Sequence, residues 1–246
     1  MFSVDKLLVL LSLCAAAGAW ANDGAFQGEV GGMVTASSAV VQGSQSSSAA
    51  LPYVYGDWGR FYGRVDTFGL RALPFGHGHL ELAARITTEG FEARKTAYPA
   101  LGDRRSPLPV GLGTFQRTPL GGVFAYLMHD PHSGGSLAEL NWAGRTRLGT
   151  VTLYPQLGVQ HRSSAYVSHL YGVSPAESAA TGLKVWQPQG SWTPQATLHA
   201  SVPLGGAWSL QAQLRQRWLD AAVADSPLVQ RRTQTSGLLA LTYTLN

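Results

Sequence analysis

Trp208 and Trp218 stand ten residues apart, and the chain between them alternates. Trp208, Leu210, Ala212, Leu214 and Trp218 fall on one face, with Gln216 the single polar exception there. Ser209, Gln211, Gln213, Arg215 and Arg217 fall on the other. A period of two is the mark of a β-strand with one apolar face. At ~3.4 Å per residue and a tilt of ~40°, ten steps rise about 26 Å. That is the height of the ~25 Å apolar band of an outer-membrane barrel, at whose two edges tryptophan collects. The segment therefore reads as a tilted strand crossing a membrane with an indole at each interface.

Other segments repeat the pattern. Trp192, Ala196, Leu198, Ala200 and Val202 alternate with Thr193, Gln195, Thr197, His199 and Ser201. Leu80, Leu82, Ala84 and Ile86 alternate with His79, Glu81, Ala83 and Arg85, and Leu239, Leu241, Tyr243 and Leu245 alternate with Ala240, Thr242 and Thr244. Soluble β-sandwiches alternate too, but their polar face meets water and is rich in charge. Here that face is mostly Thr, Gln, Ser and Gly, and charged residues make up only 13% of the chain, about half the ~25% of soluble domains. Beyond the N-terminus no stretch approaches the ~20 apolar residues of a transmembrane helix. The formal net charge of +4 is modest and dispersed, so no nucleic-acid partner is expected.

The N-terminus reads as a secretion signal over residues 1–21. Lys6 supplies the positive charge, Leu7 to Ala19 the apolar core, and Ala19-Trp20-Ala21 a cleavage site after Ala21. Leu13 is too bulky before Cys14 for lipoprotein processing. Cys14 is the only cysteine, so the mature chain, residues 22–246, is expected to have no thiol chemistry.

Turn signals at Pro74-Phe75-Gly76, Thr118-Pro119 and Gly205-Gly206 divide the mature chain into strands at 26–36, 50–57, 60–65, 67–73, 78–91, 109–116, 120–129, 135–144, 149–162, 191–203, 206–219 and 233–245. The fold class is all-β, a transmembrane antiparallel barrel of 12 strands, or of 10 if 60–73 is partly one strand. Long polar or Pro-rich stretches at 37–49, 92–108, 163–190 and 220–232 then lie outside the cell, and the short turns face the periplasm.

From Thr150 onward the chain resembles the MipA/OmpV family of Gram-negative outer-membrane proteins. The residues that carry the resemblance are Pro155-Gln156-Leu157-Gly158-Val159, then Tyr171-Gly172-Val173-Ser174 with Ala176, Glu177, Ala179 and Gly182-Leu183. Asp225-Ser226-Pro227-Leu228-Val229, Gly237 and Tyr243 follow in order, and Leu51-Pro52-Tyr53 and Phe61-Tyr62 match earlier. Outer-membrane barrels commonly end their last strand in an aromatic residue, where this chain has Leu245, with Tyr243 two residues before it. The resemblance implies a non-catalytic scaffold that associates with a lytic transglycosylase and a murein synthase, enzymes of peptidoglycan.

Candidate sites follow from the barrel reading. Trp142, Trp192, Trp208 and Trp218 are expected to be membrane-interface anchors. Glu29, Glu81, Arg85, Glu139, Arg145, Arg147, Arg215 and Arg217 are expected to form a polar network in the lumen, since a barrel of 8 to 12 strands is largely filled by its own side chains. A narrow solute path through them is the alternative. Arg94, Lys95, Arg104 and Arg105 put guanidinium and ammonium groups on an outer loop, where lipopolysaccharide phosphates could bind. His77 with His79, and His129 with His132, have spacings a metal could use, but no carboxylate pattern completes a ligand set, so no metal or cofactor is expected. His199 and Ser201 share a face ~7 Å apart along the strand. A lipid hydrolase is the third reading, but its Ser–His pair needs ~3 Å contact, and the sequence holds no G-x-S-x-G elbow.

Overall fold

The computed structural model describes residues 24–245. The signal segment and its cleavage site at Ala21 lie outside the described residues. The strands are β1 (Gln27–Ser37), β2 (Ser47–Trp58), β3 (Phe61–Arg64), β4 (Thr67–Phe75), β5 (Gly78–Arg85), β6 (Val110–Thr118) and β7 (Gly121–Asp130). They continue as β8 (Gly135–Ala143), β9 (Thr146–Leu148), β10 (Val151–Arg162), β11 (Ser191–Gly205), β12 (Trp208–Trp218) and β13 (Thr233–Leu245). Every pairing is between antiparallel neighbours, β13 returns to β1, and β10 to β11 completes the circle. The short β9 carries on from β8, and both lie against β10. The thirteen segments therefore build a closed wall of 12 strands. Closure removes every full-length sheet edge, which is what lets strands cross a membrane at all.

The alternation seen in the sequence sorts the side chains across this wall. On β12, Trp208, Leu214 and Trp218 are 47, 60 and 45% exposed, facing out, while Gln211 is 1% exposed, facing in. Leu157, Leu198, Leu239 and Leu241 are likewise outward, and Gln160, Thr193, Gln195 and Thr242 inward. The outward exception Gln216 is satisfied laterally, its amide oxygen accepting the Thr235 hydroxyl of β13 at 2.5 Å.

Two features depart from a uniform wall. The hairpin of β3 and β4 turns at Val65-Asp66, only four residues above the turn end. Val65 takes φ 67°, the one left-handed non-glycine conformation among the described residues, a costly state for a β-branched side chain. It is held there by its N–H donating to the Val54 carbonyl at 2.9 Å and by packing on Met33, Tyr53, Leu238 and Ala240. Above this hairpin β2 has no neighbour on that side. Because Val54 directs its carbonyl toward β3, Pro52 points its missing N–H toward the same open edge, where no ladder bond is lost.

The second departure follows from the first. The strand expected over 78–91 ends at Arg85, because β4 has stopped pairing there. Ile86 donates to the Asp66 carbonyl at 2.8 Å, and the chain leaves the wall and carries Glu89 over the lumen.

The outer loops fold into a cap. The stretch 163–190, which the sequence marks only as polar loop, holds helices α1 (Ser164–Tyr171) and α2 (Pro175–Thr181), and α3 (Ala221–Ala224) follows β12. Tyr166, Val167, Leu170, Tyr171 and Val223 are buried with Val40, Val41, Leu219 and Val229 in one apolar cluster. A second cluster of Ala93, Leu101, Val173 and Leu228 extends it. The α1 backbone comes so close to β8 that a Cβ on Gly135 would lie 2.4 Å from the Tyr166 nitrogen. The loop end of the barrel is thus closed by a small water-type hydrophobic core.

Candidate functional site

Beneath that cap the inward side chains form polar clusters, each centred on a carboxylate. Glu89 Oε1 accepts Arg162 Nη2 and Arg217 Nη1, both at 2.6 Å. Glu139 accepts Arg85 Nη1 at 2.6 Å, Gln160 Nε2 at 2.8 Å and the Asn141 amide. Gln195 then donates to Asn141 at 2.8 Å. Glu81 accepts the Tyr62 and Tyr126 hydroxyls at 2.7 and 3.0 Å and lies 2.7 Å from His79 Nε2. Glu29 accepts Gln211 Nε2 at 2.7 Å and the Thr242 hydroxyl at 3.0 Å. Near the turn end Asp57 accepts Arg64 at 2.7 Å and also pairs with Arg71. Buried charges are costly without partners of this kind, and partnered side chains fill a small barrel rather than line a pore.

Of the residues expected to make this network, the structure brings together Glu29, Glu81, Arg85, Glu139 and Arg217. Arg145 and Arg147 lie elsewhere. They are exposed at the turn end, beyond reach of the buried carboxylates, because β8 breaks at Gly144-Arg145 and its continuation β9 forms the rim. Glu89, Arg162, Asp57, Arg64, Arg71, Tyr62 and Tyr126 belong to the network without having been singled out. Arg162 shares the parity of Gln160 and was legible. Glu89 shares the parity of Glu81 and Arg85 in the expected run 78–91 and was legible on that count, although it reaches the lumen from a loop and not from a strand.

Arg215 faces inward but has no ion pair among the described residues, and its Nε is buried without an acceptor. An uncompensated interior cation is destabilising. Arg215→Met keeps the length and removes the charge, so it is expected to raise the unfolding midpoint in detergent, by about 1 kcal/mol or more in stability. A lowered midpoint would mean that Arg215 has a stabilising role.

The loop residues among those that carry the family resemblance meet in the cap, while residues 155–159 and 51–53, with Phe61, Tyr62, Gly237 and Tyr243, lie on strands of the wall. Ser174 caps α2 by accepting the Glu177 N–H, and Glu177 returns to accept the Ser174 N–H at 3.0 Å, a reciprocal capping box. Arg104 donates to Glu177 at 2.6 Å. Burial pushes the Glu177 carboxyl up, but the Ser174 N–H and Arg104 outweigh it and hold it at about 2. Val173 bridges to Trp186, whose indole N–H donates to the Ala222 carbonyl at 3.1 Å. The Ser226 hydroxyl donates to the Tyr171 carbonyl at 2.7 Å and accepts the Leu228 N–H at 3.2 Å. The Tyr171 to Glu177 and Asp225 to Val229 motifs are therefore two halves of one joint. Ser226→Ala leaves both backbone groups buried and unpaired, and is expected to cost about 1–3 kcal/mol, read as an earlier urea midpoint. An unchanged midpoint would remove Ser226 from the joint.

The other expected sites fall as follows. Trp192 and Trp218 lie at the loop end of their strands and Trp142 and Trp208 at the turn end, all at least partly exposed. Trp208 packs edge-on against Tyr243 with ring centroids 5.1 Å apart. Arg94 and Lys95 both pair with exposed Glu92, Arg104 is committed to Glu177, and Arg105 is exposed. The histidines are dispersed, and among the described residues no three His, Cys, Asp or Glu side chains are grouped to hold a metal. His199 Nε2 lies 3.0 Å from Gln211 Oε1, and Ser201 lies further along the strand opposite Thr152 and Gln211. That arrangement ties His199 to an amide rather than to a nucleophile.

Residues 30–245 match the family model described as MltA-interacting protein MipA. Over 133 residues the chain is 35% identical to the MltA-interacting protein of Escherichia coli (strain K12), covering 53% of this chain and 54% of that one, about half the relative's length. A second Escherichia coli (strain K12) protein, provisionally named outer membrane protein YiaT, is 27% identical over 195 residues, covering 77% of this chain and 79% of its own. An anion-selective porin from Comamonas acidovorans overlaps 90% of this chain and 99% of its own at 9% identity and a TM-score of 0.34, a likeness that adds no weight to the strand pairing itself. With the match running from within β1 to the end of β13, this outer-membrane barrel belongs to the MipA family.

Proposed function

We propose that the protein is a non-catalytic scaffold of the outer membrane that docks peptidoglycan enzymes, a lytic transglycosylase and a murein synthase, on its periplasmic face. The observation that carries this reading is the 35% identity to a relative named for interacting with MltA. The filled lumen and the cap support it, because they leave little room for transport. Exported protein of this kind resides in the outer membrane, and its exposed Arg94, Lys95 and Arg105 face the lipopolysaccharide layer, whose phosphates they would contact.

The direct test is affinity purification of the tagged, detergent-solubilised barrel from its own envelope, followed by mass spectrometry. Enrichment of a lytic transglycosylase and a murein synthase is expected over a porin control. Repeated absence of both, with the enzymes present in the extract, sinks the scaffold. The competing transport reading is tested in planar bilayers, where the wild-type barrel is expected to be electrically silent. Stepwise conductance would favour a channel.

A further inference from the structure

The two ends of the barrel treat their basic residues differently. At the loop end acids and bases are mixed, and Arg94, Lys95, Arg104, Arg162, Arg217 and Arg232 have carboxylate partners. Exposed Arg105, Lys184 and Arg231 have none among the described residues but lie on loops that also carry acids. At the turn end Arg60, Arg117, Arg145 and Arg147 are exposed. None has an ion-pair partner among the described residues. Of the described acids toward this end, Asp57 is already occupied by Arg64 and Arg71 and Glu29 accepts from Gln211 and Thr242. These arginines come from the β2–β3 turn, the end of β6 and the β8–β9 segment, so they border much of the rim. The same turns present Leu120 at 80% and Leu148 at 72% exposure.

Arg147 also lines a polar cavity of about 340 Å³ at the mouth, with Thr150, Thr152, Ser201 and Ser209. Thr152 and Ser201 are inward positions on β10 and β11, so the cavity opens inside the ring of strands and not toward the lipid. Arginine beside exposed leucine is the composition of a protein interface, and a planar guanidinium is the natural mate of a carboxylate. Lipid phosphates reach the outer circumference of the barrel. They do not reach a hydroxyl-lined pocket within its mouth.

We infer that the periplasmic rim is a docking surface for a carboxylate-rich segment of a periplasmic protein, with Arg147 and its cavity seating an acidic side chain. The identity of that protein as a peptidoglycan enzyme rests on the scaffold reading above. The binding surface does not. Short turns thereby suffice for docking, since four guanidinium groups with no ion pair among the described residues, held at strand ends and in tight turns, need no folded periplasmic domain to position them.

The test uses the full barrel in nanodiscs of zwitterionic lipid, with two probes, a purified soluble lytic transglycosylase and a synthetic glutamate-rich peptide. The variants are Arg145→Gln/Arg147→Gln at the rim and Arg94→Gln/Arg105→Gln at the opposite end. Heat-modifiable migration on SDS gels confirms that both variants fold. Binding of both probes is expected to weaken with salt and to fall about tenfold in the rim variant, with the control unchanged. Enzyme binding that the rim variant leaves intact overturns this inference and spares the scaffold. Peptide binding that depends on the arginines, without enzyme binding, spares the inference and sinks the scaffold. If neither probe binds, both fall. A loss confined to vesicles containing phosphatidylglycerol assigns the arginines to lipid and also overturns the inference.

Discussion

Glu89→Gln is expected to lower the unfolding midpoint of the barrel more than any other single polar substitution in the lumen. Among the described residues Glu89 is the only carboxylate within ion-pair distance of Arg162 and Arg217, and all three side chains are at most 16% exposed. Removing its charge leaves two guanidinium groups facing each other in a poorly solvated space. Breaking a buried pair in this way costs about 3–5 kcal/mol. Arg217→Gln alone leaves Glu89 with Arg162 and should cost less. The double variant Glu89→Gln/Arg217→Gln should recover part of the loss, because one of the two stranded cations is gone. Thermal migration shifts on SDS gels measure all three. A wild-type midpoint in Glu89→Gln would refute the arrangement.

The same group predicts an acid response. Burial pushes the Glu89 carboxyl up, but Arg162 and Arg217 overcome this and hold it at about 2, below its ordinary 4.5. The unfolded chain therefore takes up its proton first as pH falls. The stability contributed by Glu89 is fully present above about pH 4.5 and is lost progressively toward pH 2. In Glu89→Gln that part of the pH dependence should vanish, which a pair of denaturation series at pH 5 and pH 3 would reveal.

Leu170→Asp is expected to detach the cap and spare the wall. Leu170 is fully buried among Val167, Tyr171, Val223 and Val229, in a part of the molecule that faces water, so burial there is driven as in a soluble core. Even Leu→Ala at such a site costs about 2–5 kcal/mol, and an ionised side chain costs more. Since ~1.4 kcal/mol is tenfold in an equilibrium, local opening of the cap should rise by a hundredfold or more. The expected readout is rapid tryptic cleavage at Lys184, which resists in the wild type, while the barrel keeps its heat-modifiable migration. Equal cleavage rates would mean that the cap is not held by this core. Loss of the folded band would mean that cap and wall unfold together.

The strands and their faces were legible because each is a local property. The expected run 206–219 became Trp208–Trp218, and 149–162 became Val151–Arg162. Even the short run 60–65 proved to be a strand, Phe61–Arg64. The largest overshoot, 78–91 against Gly78–Arg85, came from reading a continuing pattern past the point where the neighbouring strand ended. Helices α1 and α2 were not legible as such. Each is only two turns long, and what holds them is burial against distant loops rather than an amphipathic period.

The sequence by itself determined that this chain closes into an outer-membrane barrel, because alternation at period two assigns every side chain to lipid or lumen before any strand has a neighbour. Only the tertiary structure decided what the barrel holds and what it presents. Glu89 meets Arg162 and Arg217 across 73 and 128 residues of chain, Tyr171 meets Ser226 across 55, and four arginines share a rim without ion-pair partners among the described residues. Contacts of that span depend on the order of strands around the circle and on where a hairpin stops short. No local pattern encodes either.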